Sequence, residues 1–448
     1  MGLLGSDRVV VGYDLGNEFS QISFSVSGSG KVETLSQVAG TEDYNIPTAL
    51  CKRNGVNQWY YGREALRQGE AEQGILVENL LELALDGEPV LIEGESFDPV
   101  ALLTLFFKRS LGLLAQVSSP DKISAMMITC EVLDARMLDV LRRMMAGARL
   151  KTDRIVFQNH MESYYSFMLR QPEELWAHGS VLLRRENGIR AYCMECNKRT
   201  EPKVVFIEER IFPLKDGELL PEEESLRQEL LDRELLEISR EVCREKMVES
   251  VFLIGDGFDQ EQMRESLRFL CRKRRVFQGN NLFSKGACMG MQERLDPDPL
   301  WKKYAFLGKD KLKANIGMDI LRQGEASYYA LLDAGVNWYE AGQELDFYLR
   351  DGNEITLKIM QLTENSGKLA QMVLEDLPGN VARLHASLYL EDENVLTVEV
   401  RDLGFGEIRP SSGRVWRETT QKRINFLSVR YTINQYSTCS PTRKPAAA

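Results

Sequence analysis

The sequence is poor in the residues that usually mark a metal or redox centre. It has three histidines in 448 residues, and its single Cys-x-x-Cys, Cys193-Met194-Glu195-Cys196, has no second pair to complete a zinc site. The eight cysteines are scattered rather than arranged as a disulfide framework, so a reducing, cytoplasmic setting is expected. No long apolar run occurs. The richest stretch, residues 99–117, is interrupted by Lys108 and Arg109 and falls short of the roughly 20 residues that cross a bilayer. No membrane partner is therefore expected. The start, MGLLGSDR, lacks the basic region and apolar core of a secretory leader. Excess positive charge is missing too: the net charge is -11, against a nucleic-acid partner over most of the surface. Neither a GxGxxG fingerprint nor a P-loop is present.

What remains is an ordinary globular composition, 43% hydrophobic and 27% charged, in a chain long enough for two or three domains. VVVGYDLGNEFSQISFSV (9–26) reads as a strand, a tight turn through Asp14-Leu15-Gly16-Asn17 and a second, alternating strand. Further strands surround Pro47 and Gly62. Helical patterns run from 64 to 85 and from 98 to 117. A strand at 123–130, a helix at 134–147, a strand at 155–158 and a helix from Met161 follow, an alternation that implies a mixed α/β sheet. Glu186-Asn187-Gly188 between 181–185 and 189–195 predicts a second hairpin. A charged helix at 222–246, a strand at 251–255 and helices at 260–271 and from Ser284 complete this part.

Near residue 296 the texture changes. Residues 296–312 read as a linker, and beyond them short alternating runs separated by turns, such as Asp351-Gly352-Asn353, predict an all-β sandwich over 313–415. From Arg414 onward there are seven Lys or Arg and one Glu, and 416–448 is expected to be a disordered basic tail.

Two features carry ligand chemistry. A carboxylate at a strand end followed by glycine, as in Asp14-Leu15-Gly16, can hold Mg²⁺ while the turn's N–H groups face a phosphate; alone it is more simply a hairpin. Gly255-Asp256-Gly257 ends a strand just before a helix and permits close approach of a ligand. Residues 281–291, NLFSKGACMGM, supply another small-residue helix start. His160 reads as structural, and no Ser–His–Asp or Cys–His set is evident. The run Arg272-Lys273-Arg274-Arg275 reads as a solvated face.

In this order the segments resemble the actin, hexokinase and heat-shock-chaperone ATPase superfamily, in particular its DnaK-type branch. VVVGYDLGNEFSQISF resembles the first phosphate motif. Residues 46–68 and 123–159 are similar to the segments that follow it, VFLIGDGFDQEQM to the adenosine motif, and FSKGACMGM to the closing helix. LEDLPGNVARLHASLYLEDENVLTVEVRDLGFGE (374–407) resembles the chaperone's β substrate-binding domain. The likeness spans about 8–412 and also suggests a divergent bacterial family known only as a domain of unknown function.

The resemblance implies an actin-like ATPase fold of two ribonuclease-H-like lobes over 8–295, followed by the sandwich. It implies ATP with Mg²⁺ at Asp14, Gly16 and Asn17, with Asp14 facing the metal, and adenosine near Gly255, Asp256, Gly257 and Gly286. A protein or peptide client would meet Tyr328, Leu345, Ile355 and Leu357, positions that equally suit a sandwich core. The chain departs from the family where the chemistry lies. Arg184 or Arg185 stands where the second hairpin should carry an aspartate, and Gly188 is its one surviving glycine. The connecting helix, reached through Gln158-Asn159-His160-Met161-Glu162, lacks its acid. Glu78 and Asn79 occupy the neighbourhood of an expected lysine, and Asn17-Glu18 replaces a pair of threonines. A client-binding, chaperone-type protein with weak or lost hydrolysis is expected. The alternatives are a slow ATPase with a rearranged site and a pseudo-ATPase scaffold that binds no nucleotide.

Overall fold

A computed structural model describes residues 8–27, 29–38, 40–185, 188–213, 224–244, 247–255, 258, 263–350, 352–362 and 367–420. The chain divides into two compact units, residues 1–309 and 310–448.

The first unit is built on two sheets. Strands Val9–Leu15 (β1), Phe19–Val26 (β2), Glu33–Thr34 (β3), Ile123–Cys130 (β4) and Ile155–Asn159 (β5) form one, in the order β5-β4-β1-β2-β3. β1, β2 and β3 run antiparallel, and β4 and β5 run parallel to β1. Strands Ser180–Arg185 (β6), Gly188–Asn197 (β7), Lys203–Pro213 (β8), Ser250–Ile254 (β9), Arg275–Gly279 (β10) and Tyr304–Phe306 (β11) form the other, in the order β10-β9-β6-β7-β8-β11. Its first five strands repeat the pattern: an antiparallel meander β6-β7-β8, then β9 and β10 parallel to β6. The first unit is thus a topological duplication.

The sequence explains why these strands form. β1 is an almost wholly apolar, β-branched run buried on both faces, as a central strand must be. Between β3 and β4 the chain adds helices Gly62–Glu70 (α1), Leu80–Asp86 (α2) and Pro99–Leu111 (α3) with small hairpins. The single helix expected over 64–85 is two helices separated by strand Gly74–Val77, which pairs with Leu50–Arg53. Gly74 fits closely over Cys51 and Lys52 there, so sheet pairing overrides the helical pattern.

Helices Ala135–Ala148 (α4), His160–Leu169 (α5), Glu224–Val242 (α6), Arg264–Leu270 (α7) and Leu282–Leu295 (α8) complete the unit. Aspartate caps fix two of the starts: Asp98 accepts from Val100 N in α3 at 3.1 Å, and Asp134 from Met137 N in α4 at 2.8 Å. The helix after each sheet crosses to the other. α5 drives Tyr164, Tyr165 and Met168 into the core under the second sheet with Leu182, Tyr192 and Phe252. α8 sets Ala287, Cys288 and Met291 against Val10, Ala125 and Met127 of the first. The two helices meet so closely that a methyl at Gly286 would overlap the carbonyl oxygen of Ser163. Part of the expected linker belongs to this unit, because β11 pairs in parallel with Lys203–Val205.

The second unit holds two four-stranded antiparallel sheets. Glu325–Leu332, Ala314–Arg322, Glu354–Gln361 and Lys368–Val373 make one; Gly342–Arg350, Val381–Leu390, Leu396–Asp402 and Val415–Thr420 make the other. Glu354–Gln361 and Val381–Leu390 alternate buried and more exposed residues, the pattern of sheets that face a core on one side. The last strand carries the module to Thr420, past the expected limit of 415. The rest of the basic tail, 421–448, lies outside the described residues.

Candidate functional site

Between the two sheets of the first unit lies a cleft of about 760 Å³. The turn after β1 contributes Asp14, Gly16, Asn17 and Glu18; the β6–β7 hairpin contributes Arg184, Arg185, Gly188 and Arg190; Gly255 follows β9. Four of the expected ligand residues, Asp14, Gly16, Asn17 and Gly255, therefore converge on one cleft although Asp14 and Gly255 are 241 positions apart. Gly255 has φ +98°, and a Cβ there would stand 2.6 Å from the Arg185 carbonyl oxygen, so only glycine fits. Gly286 sits instead in the α5–α8 contact. Asp256 and Gly257 lie outside the described residues.

The centre of the cleft is a chain of charged and polar side chains that joins the two sheets. β5 runs straight into α5 because Asn159 caps the helix, its side chain accepting from Glu162 N at 2.8 Å. That places His160 in the first turn of α5, 1% exposed, with its ring stacked on Phe283 of α8 at 4.0 Å and 7°. His160 Nε2 lies 2.8 Å from Asp14 Oδ1, and its Nδ1 lies 3.0 Å from Arg184 Nη1. A guanidinium can only donate, so Nδ1 accepts and Nε2–H donates to the Asp14 carboxylate. The Arg184 guanidinium also lies 5.5 Å from the Phe283 ring centre, within cation–π range. Beyond it, Glu131 reaches Arg190 Nη2 at 2.5 Å and Arg184 Nη1 at 3.8 Å, and Arg190 Nη1 reaches Glu209 at 2.6 Å.

Asn17 is committed elsewhere. Its Oδ1 accepts from Glu82 N at 3.1 Å and its Nδ2 donates to Asn79 Oδ1 at 3.0 Å, so it caps α2 from a different element. Asn79, at the helix start, has φ +54° and makes no cap bond of its own.

These groups do not fit Mg²⁺ with a nucleotide. Magnesium takes hard oxygen ligands, commonly one or two carboxylates besides phosphate. Here the Asp14 carboxylate faces an imidazole N–H, and the equivalent position on the second hairpin carries a cation. Among the described residues no group of three or more His, Cys, Asp or Glu is arranged to hold a metal. The sequence leaves Arg184 or Arg185 for the lost aspartate's position and reads His160 as structural without naming its partners; Glu131, Arg190 and Phe283 are not among its expected site residues. The register Arg184↔Arg190 could be counted from the Glu186-Asn187-Gly188 turn; the partners from other elements have no such local sign.

The remaining expectations also find their places. Cys193 and Cys196 lie on opposite faces of β7, one in the core under α6 and the other against the core under α5, as an odd spacing in a strand requires. They cannot bridge or share a metal without rebuilding the strand. In the second unit, Ile355 and Leu357 are buried in the sandwich, Leu345 is half-buried and Tyr328 is exposed. Contrary to the reading of the sequence, a Ser–His–Asp arrangement exists there. His385 Nδ1 lies 2.8 Å from Asp346 Oδ1 and its Nε2 3.4 Å from Ser387 Oγ. It lies on a central strand paired along both sides, so the neighbouring N–H groups are held in the ladder and none is free to stabilise an oxyanion.

Residues 31–309 match the model of a family of unknown function (DUF5716), C-terminal, and the chain belongs to that family. Residues 311–421 match a domain of unknown function (DUF8552). The boundary between the two matches coincides with the boundary between the two structural units. A comparison with curated proteins finds none that matches. No helix among the described residues is long and apolar enough to cross a membrane.

Proposed function

We propose that this protein is a client-binding relative of the actin and DnaK-type ATPases in which the hydrolytic centre has become a structural bridge between lobes. The carrying observation is the Asp14–His160–Arg184 chain, which fills the place where the resemblance calls for Mg²⁺ and phosphate. Support for the ancestry comes from the repeated strand order of the two sheets, with the two crossing helices α5 and α8 between them. Phosphoryl transfer depends on positioning, metal and charge neutralisation, and several of those groups are replaced together. Hydrolysis is accordingly absent or slower by several orders of magnitude.

The client role belongs to the β-sandwich. Its likeness to a chaperone substrate-binding domain supports this, as do exposed apolar side chains such as Leu321, Tyr328, Leu369 and Val373. The test follows phosphate release from ATP and Mg²⁺ together with suppression of aggregation of an unfolded client protein. Client protection without phosphate release supports the proposal. Stoichiometric, Mg²⁺-dependent release, or the absence of any client effect, overturns the corresponding half.

A further inference from the structure

Among the described residues the two sheets of the second unit end in four edge strands, and these differ in how they are guarded. An edge presents a row of unpaired N–H and C=O groups, and charges, prolines or bulges normally keep another strand from adding there. Gly342–Arg350 carries Glu344, Asp346 and Arg350, and Val415–Thr420 carries Arg417 and Glu418. Lys368–Val373 has no such guard past its first residue. Leu369-Ala370-Gln371-Met372-Val373 is uncharged, and its ladder with Glu354–Gln361 runs without a register shift. One bond fixes the phase of that ladder. Leu374 N donates to Asn353 O at 2.7 Å, so Lys368, Ala370 and Met372 turn their backbone groups toward the neighbouring strand. The N–H and C=O groups of Leu369, Gln371 and Val373 therefore point away from the sheet, and none has a partner among the described residues. The side chains of the same three residues lie on the outer face. Leu369 is 56% and Val373 50% exposed, beside the exposed Met360 of the neighbouring strand, while Met372 is buried in the sandwich.

We propose that Lys368–Val373 pairs antiparallel with the same strand of a second copy, joining two chains edge to edge about a twofold axis. With Gln371 opposite its own counterpart, Leu369 stands opposite the partner's Val373. Every outward N–H and C=O of the strand is then bonded, and the Leu369 and Val373 side chains of both copies merge into one apolar patch. Charge selects this occupant. The strand has Lys368 at one end and Glu375-Asp376 just beyond the other, so antiparallel pairing sets the cation of each copy beside the acids of its partner. The remaining edge, Glu325–Leu332, is also uncharged within, but the same operation there would set Glu325 beside the partner's Asp333. Like charges across a strand pair repel, so a second copy fits one edge of this sheet and is turned away from the other. The inference goes beyond the client-binding reading: dimerisation covers Leu369 and Val373 and leaves Leu321 and Tyr328, toward the opposite edge, exposed.

The test is sedimentation velocity of the full chain, run from about 1 to 100 µM. The wild-type protein should pass from the mass of one chain to that of two as its concentration rises. Gln371→Pro deletes the N–H at the twofold axis without touching the monomer's own ladder, and Gln371→Lys sets like charges opposite each other there. Each should raise the dissociation constant at least about tenfold, whereas Ala326→Lys, on the opposite edge, should leave it unchanged. A wild-type chain that stays single, its edge open to a client strand or to nothing, overturns the proposal. So does a dimer indifferent to either Gln371 variant, or one lost equally in Ala326→Lys. Far-ultraviolet circular dichroism reports whether each variant is folded. Should Gln371→Pro not fold, Gln371→Lys alone must weaken the dimer; no weakening overturns the proposal equally.

Discussion

The two hairpins that face each other across the cleft share a backbone plan and differ in what they carry. Each joins the first two strands of a sheet with the same order and directions. The first keeps Asp14 and Gly16 at its turn; the second carries Arg184, Arg185 and Arg190. The strands are fixed by apolar residues packed into the cores, and substitution there leaves cavities or strain. The turn residues and the strand ends beside them face the cleft, where a change of charge is tolerated if its partner changes too. His160 is that partner: it satisfies Asp14 on one side and Arg184 on the other. The difference teaches that two hairpins of one backbone plan can carry opposite charges across a cleft, provided the carboxylate of one and the guanidinium of the other are joined by a partner such as His160.

Restoring the second hairpin's expected charge is the most severe way to probe this. Arg184→Asp removes a partner of His160 and sets a carboxylate near Asp14 and Glu131. It should destabilise the protein by about 3–5 kcal/mol in urea denaturation. His160→Ala comes next, with an expected loss of about 2–4 kcal/mol, because it leaves Asp14 and Arg184 unbridged and removes the ring stacked on Phe283. Asn17→Ala on the first hairpin should cost only about 1 kcal/mol, the usual value of a helix cap. If Asn17→Ala proves costlier than Arg184→Asp, the bridge is not what holds the cleft and the contrast between the hairpins fails.

The smallest expected effect leaves stability untouched and probes the cores beneath the hairpins. Burial pushes the Cys288 thiol up to about 12, so at pH 8 it is almost wholly protonated as well as inaccessible. Cys271 is exposed. Alkylation of the native protein followed by mass spectrometry should modify Cys271 readily and spare Cys288, and it should reach Cys196 before the buried Cys193. Equal labelling of Cys193 and Cys196 would show that they do not lie on opposite faces of β7.

Much of this architecture is legible in the chain. The hairpins, β4, β5, α4 and the sandwich runs announce themselves through alternation, apolar runs and turn residues. The strands Lys203–Pro213 and Arg275–Gly279 do not, since they are charged and only partly buried, and neighbours in space rather than their own pattern make them strands. In the cleft, Asp14, Gly16 and Gly255 are readable because each sits at a strand end beside a conformational signal. His160 is not, because a lone histidine at the start of a helix gives no sign of an aspartate 146 residues earlier. Asn17 is readable as polar but not as a cap for a helix 65 residues away. Local chemistry is written in the sequence; pairing across the sheets exists only after folding.

The bridge itself is open to a direct reading because the chain has only three histidines, His160, His178 and His385. Nitrogen-15 NMR of the protein labelled at histidine, with His160→Gln to assign the signals, reports which ring nitrogen carries a proton. The bridge requires His160 to hold its proton on Nε2, donated to Asp14, with Nδ1 unprotonated and accepting from Arg184. A proton on Nδ1, or a His160 spectrum unchanged by Arg184→Met, would contradict it.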